Sequence, residues 1–247
     1  MFIYQIVGKK LSMRFKLEKK STNFKKFWFE FFSVFFAVVF AYLLNQWNED
    51  RKDDLTESKI LIEINNGLKR DSLDLASDEK YFKVNIDAIK YFNRIANNIE
   101  VDNDSLSLYY FYLTRDLITV QNTSGYETLK SKGLEIIKND SLRKSIIDLY
   151  EVTYKLNRKF SEEYDENKYM KNYFEKINNA IAPHFIFDSN NNIIGLNQPV
   201  NLKTQDKNIV KSYLWKLAIN RNDRLGAIKR NQIKIGKLRS LIKEDLN

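Results

Sequence analysis

The chain of 247 residues has a formal net charge of +9, no cysteine and a single histidine, His184. Those counts exclude disulfides, thiolate catalysis and Cys-ligated metals, and they leave little room for a His-built zinc site or a His-dependent triad. Seven glycines and two prolines favour long helices with few tight turns, so the expected class is mainly α.

Residues 1–26 hold Lys9, Lys10, Arg14, Lys16, Lys19, Lys20, Lys25 and Lys26 against one acid, Glu18. Met13 is a second candidate start, and beginning there removes two lysines without removing the bias. From Phe27 to Leu44 the only charged residue is Glu30. A helix from Trp28 to Trp47 reaches about 30 Å, the thickness of a bilayer's hydrocarbon core. A Trp at each end fits the aromatic belts of the headgroup layers. A core helix of a soluble protein keeps a polar face, and Phe31 to Leu44 offers only Ser33. A cleaved signal needs a shorter apolar run and a small-x-small site, which Asn45-Gln-Trp-Asn48 does not supply. The expectation is an uncleaved transmembrane helix over 27–47, with 1–26 a basic cytoplasmic tail and 48–247 a separate domain. The first twenty residues after Trp47 hold only Arg51, Lys52 and Lys59 as bases, and positive flanks stay in the cytoplasm. The tail is therefore expected inside and the domain outside.

Trp28, Glu30 and Trp47 are the candidate membrane-anchor residues. Glu30 lies four residues after Lys26. Either its carboxylate reaches back to headgroup depth and pairs with that lysine, or it meets another membrane subunit or handles protons.

The remaining excess charge lies in Arg221 to Asn247, eight bases against three acids. The first basic cluster is accounted for by topology and anionic lipid. The second falls on a helix with no zinc-finger, RNP or recognition-helix pattern. The chain is expected to contact a lipid bilayer and no nucleic acid.

In 48–247, Leu61, Ile64, Leu68 and Leu75, then Phe82, Ile86, Ile89 and Ala96, keep helical spacing. That predicts a long first helix with one break near Asp71 to Asp78. A second covers about Asp104 to Thr119. Its run Tyr109-Tyr-Phe-Tyr112 reads as core packing rather than a stacking surface for a ligand. Ser124-Gly-Tyr-Glu-Thr-Leu-Lys-Ser-Lys-Gly133 predicts a third, short helix. Ser124 and Glu127 there have capping-box spacing, and Gly133 suits a left-handed end. A fourth helix, capped by Asn139 or Asp140, spans about Asp140 to Ile181, with the stripe Leu142, Ile146, Leu149, Thr153, Leu156, Phe160 and Tyr164. The last runs from about Gln205 to Leu246, with a break near Asn220 to Asp223 and a stripe of Leu225, Ile228, Ile235, Leu238, Ile242 and Leu246 that completes a bundle. Between the two prolines, Phe185-Ile-Phe187 and Ile193-Ile194 flank Asp188-Ser-Asn-Asn-Asn192, a small β-hairpin. A calcium loop is a poor match there, because Ile193 and Pro199 stand where an EF-hand needs Gly and Glu.

The exit motif Asn45-Gln-Trp-Asn-Glu49, with Glu30 ahead of it, resembles the anchor of an uncharacterised family of Bacteroidota single-span membrane proteins, a domain of unknown function. Gly125-Tyr-Glu-Thr-Leu-Lys-Ser-Lys-Gly-Leu134, followed by Ile137-Lys-Asn-Asp-Ser-Leu-Arg143, is similar to that family's second landmark. The span departs from the family in being Phe-rich and lacking its usual Gly. The resemblance implies a bacterial inner-membrane protein with a periplasmic helical domain, and it implies no activity.

The favoured function is non-enzymatic, with no cofactor and no metal: an anchored helical domain that contacts a protein partner in the membrane or periplasm as scaffold, sensor or accessory subunit. Tyr126, Lys130 and Lys132 are the candidate contact residues, because a cap and a helix stop leave them without a stated job; the alternative is that the short helix simply docks on the bundle through Tyr126 and Leu129, three apart, with Lys130 edging that face. The alternative is a membrane-anchored hydrolase working through carboxylates such as Asp102 and Asp104. No Gly-rich phosphate loop or activated serine accompanies that pair.

Overall fold

A computed structural model describes residues 21–163 and 168–247. The basic residues from Lys9 to Lys20, and Tyr164 of the expected fourth stripe, lie outside the described residues. The chain divides into two compact units at Asp53 and Asp54, and helix α1 is assigned to Ser21–Ala96.

The first unit carries the apolar stretch. No residue from Phe24 to Asp50 is buried, and the stretch is long and apolar enough to cross a membrane. Its phenylalanines stack on each other one turn apart, Phe31 on Phe35 at 6.2 Å and Phe32 on Phe36 at 6.1 Å. Glu30 pairs with Lys26 at 3.9 Å, the first of its two expected roles. At the exit, Asn45 donates to Glu49 (3.0 Å), Gln46 donates to Asp50 (3.1 Å), and Arg51 lies 5.9 Å from the Trp47 ring centre.

The second unit is a helical bundle with one small hairpin. After α1 come α2 (Leu106–Thr114), α3 (Ser124–Lys132), α4 (Asp140–Ile147), a π-helical segment (Asp148–Tyr154), α5 (Lys155–Glu162), α6 (Tyr169–Asn172), α7 (Phe174–Ile181), strands β1 (Phe185–Phe187) and β2 (Ile193–Leu196), and α8 (Thr204–Asp245). Helices α1 and α8 lie antiparallel: Asn65 meets Arg239, Asn85 meets Arg221, and Asn97 meets Lys211. Two apolar clusters lie along this pair. One joins Ile60 to Phe82 of α1 with α3, α4, the π segment and the C-terminal half of α8. The other joins Ala88 to Ala96 with α2, α7, the hairpin and the N-terminal half of α8.

Both expected breaks are absent: Asp71, Asn220 and Arg221 are buried there and Asp78 is half-buried, each with a hydrogen-bond partner. Asp71 accepts the Tyr154 hydroxyl at 2.6 Å and the Asn122 N–H at 2.8 Å. Asp78 accepts the Thr119 hydroxyl at 2.7 Å. On α8, Asn220 donates to the Tyr173 hydroxyl at 3.2 Å, and Arg221 donates to Asn85 at 3.1 Å and to Asp116. A buried polar group with a partner need not interrupt a helix, since the cost arises only when it is left unmet.

Much of the partner set comes from one strap of chain. Helix α2 ends at Thr114, five residues before the expected end, and 115–123 continues without helix. Running antiparallel to α1, the Tyr112 carbonyl accepts from Asn85 and the Arg115 carbonyl from Tyr81, Thr119 reaches Asp78, and Asn122 reaches Asp71.

The expected single fourth helix is also several pieces. Leu142, Ile146 and Leu149 are buried as the stripe predicts. The wider π turn then rotates the chain, so that Tyr150 and Tyr154 point inward, while Leu156 and Phe160 are 55% and 56% exposed. Asn139 caps α4 as expected, accepting from Ser141 N and Leu142 N. The hairpin pairs Phe185 with Leu196 and Ile186 with Gly195. Its turn is closed by Asp188, whose carboxylate accepts Asn190 N and Asn192 N at 2.8 Å and Asn192 Nδ2 at 3.0 Å.

Burial raises the Asp71 carboxyl above its ordinary value of 3.8, against the lowering effect of its hydrogen bonds. The unfolded chain therefore ionises first as pH rises, and the wild type loses this contribution through the raised folded value. The melting temperature of Asp71→Asn relative to wild type should move in the variant's favour between about pH 3.5 and 7. Circular-dichroism melts across that range test this, and a gap that is constant or moves the other way contradicts it.

Candidate functional site

The contact residues expected on the third helix are positioned by a close approach. A Cβ built on Gly125 would come within 2.8 Å of Ile64 N and 3.1 Å of the Glu63 carbonyl carbon, so α3 lies against the α1 backbone there. Gly67 meets the Asn122 side chain in the same way, at 2.9 Å. Only a residue without a side chain fits at Gly125.

The capping box does not form. Thr123 is the N-cap, and its side chain makes no capping bond. Ser124 is already in the helix, and its hydroxyl and N–H donate to Asn122 Oδ1 at 3.0 and 3.3 Å. Asn122 is held by Asp71 through its own N–H, so it stands where it can serve Ser124 and displaces the serine from the cap. Glu127 pairs instead with Lys130 at 3.5 Å. Gly133 ends the helix at φ 102°, the positive φ expected of it.

Tyr126 is buried, its ring stacked on Tyr150 at 4.5 Å and 3° between planes. Its hydroxyl donates to Glu151 Oε1 at 2.9 Å. Burial, then the bond to Glu151, pushes the Tyr126 hydroxyl well above the usual tyrosine range. Glu151 in turn is held below the usual carboxylate range by Lys155 and Tyr126. Lys130 lies 5.7 Å from the Tyr126 ring centre and 3.8 Å from Glu151. A cleft of about 150 Å³ opens here, lined by Tyr126, Lys130, Tyr150, Glu151, Lys155 and Arg158 among others. Lys132 is exposed on α3 and does not line it.

The structure thus brings Tyr126 and Lys130 together and leaves Lys132 outside. Tyr150, Glu151, Lys155 and Arg158 escaped the sequence reading, because the π turn that delivers them has no spacing signature. The spacing of Glu151 and Lys155 marks an ion pair on any helix, but not which helix they would face. A carboxylate fixed in its ionised form between cations cannot donate a proton near neutrality.

The other candidates are occupied structurally. Asp102 accepts Ser105 N at 2.8 Å; the Ser105 side chain first and this backbone bond second hold its carboxyl low, and Asp104 is exposed. Tyr109, Tyr110 and Tyr112 pack against the apolar core, and exposed Phe111 lies under Arg115 at 4.3 Å. Among the described residues, no group of three or more His, Asp or Glu converges to hold a metal ion. Comparison of the chain with protein-family models, curated proteins and solved structures gives no match.

Gly125→Ala should destabilise the protein by about 1–3 kcal/mol, because the new methyl meets backbone that cannot move aside. Gly236→Ala on α8, where an added Cβ meets nothing within 4 Å, should be neutral or stabilising by up to about 1 kcal/mol. Chemical-denaturation midpoints of the two variants check the pair. Equal effects would mean that α3 does not press on α1.

Proposed function

We propose that the chain is a single-pass protein of a bacterial inner membrane, with its tail in the cytoplasm, whose periplasmic helical domain works by contacting a protein partner as scaffold, sensor or accessory subunit. The observation that carries the first half is the exposed apolar stretch from Phe24 to Trp47, aromatic at both ends and without a packed face. Water does not tolerate a stretch such as Phe27 to Leu44, apolar but for Glu30 and Ser33 and exposed all round a helix, whereas a bilayer does. The exit motif Asn45 to Glu49 and the segment Gly125 to Arg143 support membership of the Bacteroidota family that they resemble.

The α3 surface supports the second half. Tyr126 is spent on the core, so the contact surface is its rim: Lys130, Lys132, Lys155 and Arg158, a cationic edge fitted to an acidic partner. Nothing in the surroundings of Asp102 and Asp104 favours the hydrolase reading.

One experiment in spheroplasts tests both halves. A photo-crosslinking residue replaces Lys132, or a neighbouring exposed position when Lys132 is itself varied. External protease should digest the domain in intact spheroplasts, and illumination should yield one major crosslinked protein. Lys130→Gln with Lys132→Glu should abolish that crosslink without changing helicity; glutamine is used at 130 because a carboxylate there would face Glu127 and Glu151. A protected domain would overturn the topology, and an undiminished crosslink would overturn the contact surface.

A further inference from the structure

Where α8 passes between the two apolar clusters, a cleft of about 310 Å³ opens beside Arg221 and Arg224, walled by Asp116, Leu117 and Ile118 of the strap and by Ser161, Glu162 and Lys168. The two arginines differ in what they have to bind. Arg221 is 3% exposed and engaged, with Nε donating to Asn85 and Nη2 to Asp116, whose other oxygen accepts Tyr169 N at 2.9 Å. Arg224 is half-buried one turn later. Its guanidinium lies 5.9 Å from the Phe82 ring centre, and among the described residues no carboxylate or other acceptor reaches it. Asp78, the acid of α1 that acts on it at longer range, accepts Thr119 instead.

A second unmet donor lies next to it. The Asn157 Nδ2 group is buried with no hydrogen-bond partner. It belongs to a chamber of about 20 Å³, lined also by Thr119, Gln121 and Asn231, that shares Arg224 and Ser161 with the cleft. That chamber has room for about one water molecule. Burial and the neighbouring Arg221 both disfavour the charge on Arg224. Among the described residues two donors thus remain unsatisfied, Asn157 Nδ2 in the chamber and Arg224 where chamber and cleft meet; of the cleft's carboxylates, Asp116 is taken by Arg221 and Tyr169, and Glu162 lies exposed at the outer wall. A guanidinium fork matches a carboxylate or phosphate in two parallel hydrogen bonds. The cleft is at the small end of the range for small-molecule sites, and Leu117 and Ile118 give it apolar walls.

We propose that this cleft binds the oxyanion group of a small solute, a carboxylate or a phosphate, with Arg224 as its principal anchor. The site is independent of the α3 contact surface. Arg221 acts as a positioning residue, since its bond to Asp116 fixes the strap wall. Ser161, whose hydroxyl donates to the Asn157 carbonyl at 2.8 Å, supplies the opposite side.

The test is isothermal titration of the full chain, in nanodiscs of phosphatidylcholine, with inorganic phosphate and separately with succinate, the ionic strength held constant with chloride. Saturable heat with a dissociation constant of about 1 mM or tighter is expected for at least one of the two, and which one responds distinguishes the phosphate source from the carboxylate source. Arg224→Gln should weaken binding at least about tenfold, and Arg224→Lys should weaken it several-fold, because an ammonium keeps the charge and loses the fork. Lys155→Gln, in the other cationic cleft, should leave it unchanged. No saturable heat with either anion up to about 10 mM would overturn the proposal, as would undiminished binding in Arg224→Gln. If Arg224→Gln does not fold, Arg224→Lys decides, and an unchanged affinity there overturns the proposal.

Discussion

The bundle depends on the pairing of polar side chains of α1, Asp71 and Asn85 buried and Asp78 and Tyr81 half-buried, with the strap that runs back along it. Asp71, Asp78, Tyr81 and Asn85 occur in that order along α1 and meet Asn122, Thr119, Arg115 and Tyr112 respectively, so the partners run in the opposite chain direction. Leaving any one of these groups unmet in the interior costs about 1–3 kcal/mol, comparable to deleting a sizeable part of a buried leucine. The register of the strap is therefore fixed more tightly than apolar contact alone would fix it. Other features follow from that register. Asn122 arrives where it can hold Ser124, Gly125 lands against Ile64, and Tyr126 reaches Tyr150. Asp116 projects to Arg221, which ties α8 to the same layer.

How much of this is legible in the sequence depends on whether the signal is local. The apolar stretch, the stripes on either side of Asp71 to Asp78, the Asn139 cap and the hairpin are set by neighbours within a few residues, and all are found. The mainly α class with a small hairpin follows from them. The two expected breaks fail for a common reason. Asp71, Asp78, Asn220 and Arg221 look like solvated interruptions until their partners, 41 to 136 residues away in the chain, are known. Ser124 and Glu127 have the spacing of a capping box, but Asn122, two residues upstream, takes the serine instead. The fourth stripe fails at the π turn, where one wider loop of backbone moves every later residue to a different face.

The same long-range contacts bring the two clefts into being. On one side the π turn carries Glu151, Lys155 and Arg158 to the edge of Tyr126, which gives the α3 surface its cationic rim. On the other, the strap and α8 enclose Arg224 with too few acceptors. Tyr126 is the candidate contact residue that the fold consumes: α3 docks through Tyr126 and Leu129, as their spacing allows, and only the ring that Tyr126 stacks on, beyond the π turn, was not legible. Trp28, Glu30 and Trp47 lie exposed along the apolar stretch, and the membrane-anchor role proposed for them rests on composition alone.

Hydrogen exchange of the backbone amides, measured by mass spectrometry on the full chain in nanodiscs, tests the polar layer most directly. Residues 69–80 of α1 and 218–225 of α8 should exchange as slowly as the flanking segments around Leu68 and Ile235, with the strap at 119–122 protected alongside them. Fast exchange confined to 69–80 and 218–225 would show that the helices open where their polar residues lie, and that the strap does not hold them.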